Sequence, residues 1–284
     1  MGFSQVWLAT ELVAQAPWAH ALRIAATAGI DLHVLHASVT GEVQWENLPT
    51  PRDLLVRWGF LPMVAQIKDF EELRFKVKMR GIQGREPARV LAEMLEAEAP
   101  GLVVLGSSRS TGLRRLFGGS VSEVIAHHAP YATLFVPEGV RPFVDLRDGH
   151  VSLQRILVPL GDESAQEGLR AALDLVDSLA VLRSEIVLMH VGANADIPQI
   201  SLPDIEGVSY HFVNHARGSV QDLILRTAEA EGVSVIAMAT RGHDSWWDSL
   251  AGCRAEQVMR HSNVPVLMAR VPPVPGIQSK QASY

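Results

Sequence analysis

Short apolar runs alternate along the chain with longer stretches whose apolar positions recur every three or four residues. The first pattern reads as buried strand and the second as amphipathic helix. Strands are predicted at 6–10, 31–36, 75–80, 102–105 and 133–136, and again at 155–158, 185–190, 209–213, 235–238 and 266–269. Helices are predicted at 16–28, 87–99 and 120–128, then at 165–182, 220–231 and 254–261. Pro87 suits a first helical turn, where its missing N–H would have no partner. Strands alternating with helices make βαβ units, so the class is α/β with a parallel sheet.

The pattern occurs twice. Leu102-Val103-Val104-Leu105-Gly106 superimposes on Val235-Ile236-Ala237-Met238-Ala239 at an offset of 133 residues. The same offset sets Glu98 on Glu231, Gly119 on Gly252, Glu123 on Glu256 and His128 on His261. Nearer the start of each half, Leu32–Ala37 matches Ile186–Val191 at an offset of 154, with His36 on His190. The two offsets, 154 and 133, differ by 21, so the first half carries about 21 extra residues, expected within 40–74. A helical excursion around 53–67 is the simplest account: a lid, a dimer contact or a plain surface insertion. Two tandem domains follow, 1–138 and 155–271. The Pro- and Gly-bearing stretch 139–154 links them, and 272–284 reads as a mobile tail.

Composition narrows the function. Hydrophobic residues make up 48% and charged residues 20%, an ordinary globular balance. A net charge of −6 lacks the basic face that nucleic acid requires, so no nucleic-acid partner is expected. One cysteine, Cys253, builds no disulfide and no thiolate metal site within the chain. No apolar run is long enough to span a bilayer, and Met1–Val6 lacks the basic-then-apolar pattern of a leader. Val6 also breaks the myristoylation pattern. A cytoplasmic protein without membrane contact is the expectation.

The candidate chemistry lies after the fourth predicted strand, in Gly106-Ser107-Ser108-Arg109-Ser110-Thr111-Gly112-Leu113-Arg114-Arg115-Leu116-Phe117-Gly118-Gly119-Ser120. Glycines let a backbone approach a ligand closely. N–H groups at the start of the helix predicted next would favour an anion, and Ser120 adds a hydroxyl. The plainer reading is that Ser120 caps a helix and the glycines serve the turn. The loop has no lysine, so it is not a P-loop, and neither half has G-x-G-x-x-G after its first strand.

Residues 103–137 resemble the C-terminal signature of the universal stress protein family, G-x2-G-x9-G-[ST] followed by a His-Ala-Pro turn and a closing strand. Here these are Gly106, Arg109, Gly119-Ser120, His128-Ala129-Pro130 and Thr133–Pro137. The openings Trp7–Glu11 and Ile156–Leu160 are similar to the family's first strand. The resemblance implies the adenine nucleotide alpha hydrolase-like, doubly wound fold, with a five-stranded parallel sheet per domain and helices on both faces. It implies ATP at the crossover point in nucleotide-binding members. Carried across, the adenosine-facing acid is Glu11, the backbone contact is Ala37, and the phosphate loop is Gly106, Gly119 and Ser120, with Arg109 replacing the second glycine. Arg109 either fills the phosphate space or itself contacts a phosphate.

The second half departs further. Ala239 replaces the first glycine, Cys253 the serine, and Gly161 beside Asp162 stands at the acidic position. Asp244 and Asp248 occupy positions where the first loop has Thr111 and Arg115, so the first loop is electrostatically the better triphosphate site. Trp246-Trp247 is a partner anchor or packs over an emptied pocket. His127, His128 and His261 read as helix-end residues rather than metal ligands, and Cys253 as a small residue rather than a reactive thiol.

The expected function is adenine-nucleotide binding in a stress-response regulator, without catalysis, domain 1 being the better ATP site. The alternative is a nucleotide-free interaction module. The resemblance implies that closing strands mediate dimerisation, so the two domains would pair within one chain or form a homodimer. An ATPase is the third reading, and no base or metal-holding carboxylate cluster supports it.

Overall fold

The computed structural model describes residues 2–9, 15–38, 45, 48–83, 87–107, 131–241 and 254–271. Its first half runs β1 (Val6–Ala9), α1 (Gln15–Ala28), β2 (Leu32–Ser38), α2 (Pro51–Arg57), α3 (Ile67–Glu71), β3 (Val77–Gln83), α4 (Pro87–Glu98), β4 (Leu102–Ser107) and β5 (Ala132–Pro137). Its second half runs β6 (Arg155–Leu160), α5 (Ala165–Ser178), β7 (Ser184–Val191), β8 (Val208–His215), α6 (Val220–Ala230), β9 (Val235–Arg241), α7 (Arg254–His261) and β10 (Val266–Val271). All ten predicted strands are present. The helix predicted at 120–128 lies outside the described residues, as does the tail 272–284. The helix predicted at 165–182 ends at Ser178, because Ala180 turns left-handed (φ 49°) and stops the helical ladder. The excursion predicted at 53–67 is two short helices. Thr50 opens the first, its hydroxyl accepting from the Asp53 N–H at 3.1 Å, with Pro51 next to it.

The strands form one sheet in the order β3-β2-β1-β4-β5-β10-β9-β6-β7-β8. Pairing is parallel within each half and antiparallel only at the seam, where Val266 faces Phe135 and Met268 faces Thr133. The registers reproduce the sequence repeat. Leu102 and Val235 occupy matching rungs beside Val6 and Ile156, and Leu32 and Ile186 likewise. The offset returns to 133 at β3 and β8, so the extra residues fall between β2 and β3.

Strands near the middle are mostly apolar and buried because both of their faces are covered, as in β1, β5 and β6. The outermost strands, β3 and β8, alternate instead between half-buried and exposed positions. One core lies on each face and runs through both halves. Val6, Leu8, Val104, Leu134, Val158 and Leu267 face α1 and α5. Trp7, Val103, Phe135, Leu157, Ile236 and Val266 face α4, α6 and α7.

Residues 138–154 pack firmly. Phe143, Val144 and Leu153 are buried. The Arg141 guanidinium donates to the Val233 carbonyl at 2.7 Å, and its N–H donates to the Asn263 carbonyl at 2.8 Å. The Trp58 indole, from the first-half excursion, donates to the Leu146 carbonyl at 3.2 Å. Gly149 lies against that ring with φ 70°, and a Cβ there would stand 2.6 Å from Trp58 Cγ. Gly149→Ala is therefore expected to cost roughly 2–4 kcal/mol, read as a lower denaturant midpoint, since it adds left-handed strain to overpacking.

His20 joins α1 to the same segment. It is fully buried, its Nδ1–H donates to the Ala16 carbonyl at 2.6 Å, and its Nε2 accepts the Phe143 N–H at 3.2 Å. Burial pushes its pKa down from 6.5 to about 4, outweighing the Ala16 carbonyl, which pulls the other way. The unfolded chain thus binds a proton that the folded chain refuses. His20 stabilises the fold above about pH 6.5, and that contribution drains away as pH falls towards 4, to a total of about 3 kcal/mol. Urea titrations between pH 7 and 4 should show a steeper loss for the wild type than for His20→Leu, which is weaker at pH 7 but cannot titrate there.

Candidate functional site

Each half of the sheet reverses direction once. The chain winds outward from β1 through β2 to β3, then crosses to β4 and β5 on the other side of β1; β6 through β10 repeat the path. At such a crossover the loops leaving neighbouring strands diverge, and a crevice opens beyond the strands' carboxyl ends.

In the first half the structure brings two predicted site residues to that end. Ala37 lies near the end of β2, paired with Ile82, and Gly106 lies on β4, paired with Val136. They flank β1 on its two sides. A Cβ on Gly106 would stand 2.4 Å from Pro17 Cγ, so glycine at this position is what lets α1 close onto β4. Glu11, Arg109, Gly119 and Ser120 lie outside the described residues, as do Trp246, Trp247, Cys253, His127 and His128. His261 is an exposed residue at the end of α7, its Nδ1–H donating to the Gln257 carbonyl at 2.9 Å.

In the second half the crevice is an open cavity of about 560 Å³. It lies beyond the ends of β6, β7 and β9, with the first turns of α5 and α6 on its sides. Its walls are largely apolar: Leu160, Met189, Val191, Val220, Ile224 and Met238. Gly161 carries free space where a side chain would stand. Asp162 supplies a carboxylate and accepts the Ser164 N–H at 2.8 Å and the Ser164 hydroxyl. Ala239 lines the cavity at the rung where the first half has Gly106.

His190 is the cavity-lining group that sequence reading used only as a repeat marker. It ends the apolar run of β7 and is 5% exposed. Its Nδ1 lies 2.9 Å from the Leu160 carbonyl, an acceptor, so Nδ1 carries the hydrogen. Nε2 is buried without a partner. The signal that could have drawn attention to it is a lone imidazole closing an otherwise apolar strand at a crossover. In the first half, the matching ring, His36, meets Trp45 edge-on, with centroids 6.4 Å apart. Among the described residues no group of three or more His, Cys, Asp or Glu is placed to hold a metal. No helix among them is long and apolar enough to cross a membrane.

The profile described as "Universal stress protein family" matches residues 13–137 and 211–270, more than half of the chain. A universal stress protein from Archaeoglobus fulgidus DSM 4304 superimposes with a TM-score of 0.55 at 20% identity, covering 94% of this chain and 96% of its own. A Pseudomonas aeruginosa UCBPP-PA14 protein gives 0.59 at 16% identity, with 94% and 93% covered. A functionally unknown protein from Pseudomonas aeruginosa PAO1 gives 0.58 at 12%, with 94% and 92% covered. A search of the curated proteins finds no match.

The two rungs, Gly106 and Ala239, make a direct test of what the glycine does. Gly106→Ala should lower the denaturant midpoint by an amount equivalent to about 1–3 kcal/mol, because its methyl would overlap Pro17. Ala239→Gly should cost only about 0.5–1 kcal/mol, the ordinary effect of glycine within a strand.

Proposed function

The chain belongs to the universal stress protein family, and from that premise we propose that it is a cytoplasmic regulator that binds an adenine nucleotide, with ATP held by the first lobe. Its work is binding, not turnover. The observation that supports this reading is the placement of Ala37 and Gly106 near the carboxyl ends of β2 and β4, on either side of β1. The chain leaving β1 leads to Glu11, and the chain leaving β4 leads to Arg109 and on to Gly119-Ser120. In this reading the Ala37 backbone meets the base and Glu11 the ribose end. Backbone N–H groups near Ser120 meet the phosphates, with Arg109, Arg114 and Arg115 supplying positive charge.

A second reading rests on the seam. Family dimerisation through closing strands is met within this chain by β5 and β10, which pair with each other. That favours a pseudo-dimer in one polypeptide, and a homodimer would use another surface. Light scattering at micromolar concentration is expected to return the monomer mass.

Calorimetry with ATP, and mass spectrometry of ligand that co-purifies, test the nucleotide reading. Wild type is expected to bind one ATP in the micromolar range. Glu11→Ala and Ser120→Ala should each weaken it about tenfold, or about 1.4 kcal/mol. Absence of any ATP heat with folded wild-type protein overturns the nucleotide reading and leaves the interaction module.

A further inference from the structure

We propose that the cavity between the inter-lobe segment, α6 and α7 binds a small phosphate-bearing molecule, and that Arg141, Arg226 and His261 hold its anionic group. The site lies apart from both crossover crevices and is independent of the nucleotide reading above.

The cavity has a volume of about 360 Å³. It lies near the amino ends of β9 and β10, which run parallel, whereas the crevice of this lobe lies beyond the carboxyl ends of β6, β7 and β9. Three donor side chains from three separate elements line it: Arg141 of the segment between the lobes, Arg226 of α6 and His261 at the end of α7. Glu229 is the one carboxylate among the described lining residues. Two guanidinium groups against one carboxylate run counter to the chain as a whole, in which 31 acids outnumber 25 lysines and arginines.

Ordinary structural roles account for only part of this set. His261 stands in the last turn of α7, where positive charge suits the helix dipole. Arg226 lies before the last turn of α6, and its guanidinium has no hydrogen-bond or ion-pair partner among the described residues. Arg141 is held at two points. Its N–H donates to the Asn263 carbonyl at 2.8 Å, and one guanidinium nitrogen donates to the Val233 carbonyl at 2.7 Å. The rest of its planar fork is thereby fixed in place, so it loses little freedom on meeting an oxyanion. A phosphate monoester brings up to two charges and three acceptor oxygens, enough for all three donors, whereas a carboxylate brings one charge and two oxygens. The volume suits a small organic phosphate, with Leu225 and Val264 as apolar wall for its organic part.

The test is calorimetry on the full chain at low ionic strength, with phenyl phosphate as probe and benzoate and phenol as comparisons. Phenyl phosphate is expected to bind at one site in the high micromolar range, with benzoate and phenol weaker by roughly tenfold or more. Arg226→Gln should weaken phenyl phosphate about tenfold, and Arg226→Lys, which keeps the charge but not the fork, by less. Glu229→Gln, which removes the repelling carboxylate, should tighten it severalfold. Circular dichroism verifies the fold of each variant. Ser120→Ala should leave phenyl phosphate binding unchanged, and Arg226→Gln should leave ATP binding unchanged. The proposal is overturned if folded wild type binds no phenyl phosphate at millimolar concentration, if benzoate binds as tightly, or if Arg226→Gln and Arg141→Gln both bind like wild type. Loss of phenyl phosphate in Ser120→Ala, with binding kept in Arg226→Gln, assigns the phosphate to the first lobe and overturns it equally. If phenyl phosphate binds through Arg226 while ATP binds nowhere, the nucleotide reading fails and this site stands.

Discussion

The antiparallel pairing of β5 with β10 is the contact on which the architecture depends. Each half ends its parallel sheet on a closing strand whose outer N–H and C=O groups would otherwise face solvent, an exposed edge that invites pairing with other chains. Here each edge satisfies the other, and ten strands become one sheet. The consequence reaches well beyond the seam. With both sheet faces covered across it, the cores of the two halves fuse, and Leu134 and Leu267 belong to one cluster while Phe135 and Val266 belong to the other.

The segment between the halves reinforces that joint. Arg141 ties it to the second lobe, while His20 and Trp58 tie it to the first. The first-half excursion is therefore more than a surface ornament: Leu54, Leu55, Trp58 and Leu61 enter the same core as α1 and α5. A neutral buried imidazole at this junction makes the stability of the fold depend on pH through the cost of charging it in an apolar setting.

Duplication placed the same crossover twice, yet the two crevices differ at matching rungs. Gly106 gives way to Pro17 of α1, whereas Ala239 lines an open cavity. His36 meets an inserted tryptophan, whereas His190 keeps a free acceptor. A scaffold that fixes strand ends by sheet register can change what each crevice holds by altering a few side chains, because the backbone geometry is set elsewhere.

The sequence by itself determined the α/β class, all ten strands, the repeat and the residues inserted between β2 and β3, because each of these leaves a periodic or offset trace in the order of residues. The resemblance to the family lay in residues 103–137 and in the openings Trp7–Glu11 and Ile156–Leu160; of the loop Gly106–Ser120, Gly106 and Ser107 fall among the described residues. Other features needed the folded chain. The stop of α5 at Ser178 turns on the left-handed φ of Ala180, a residue with no turn signature. The packing role of Gly106 depends on Pro17, far away in sequence and beside it in space. His190 served in the sequence only as a repeat marker, matched to His36. Only the position of the Leu160 carbonyl, thirty residues upstream, fixed which of its nitrogens holds the hydrogen and which is left buried without a partner, since hydrogen-bond satisfaction depends on three-dimensional neighbours that sequence order does not specify.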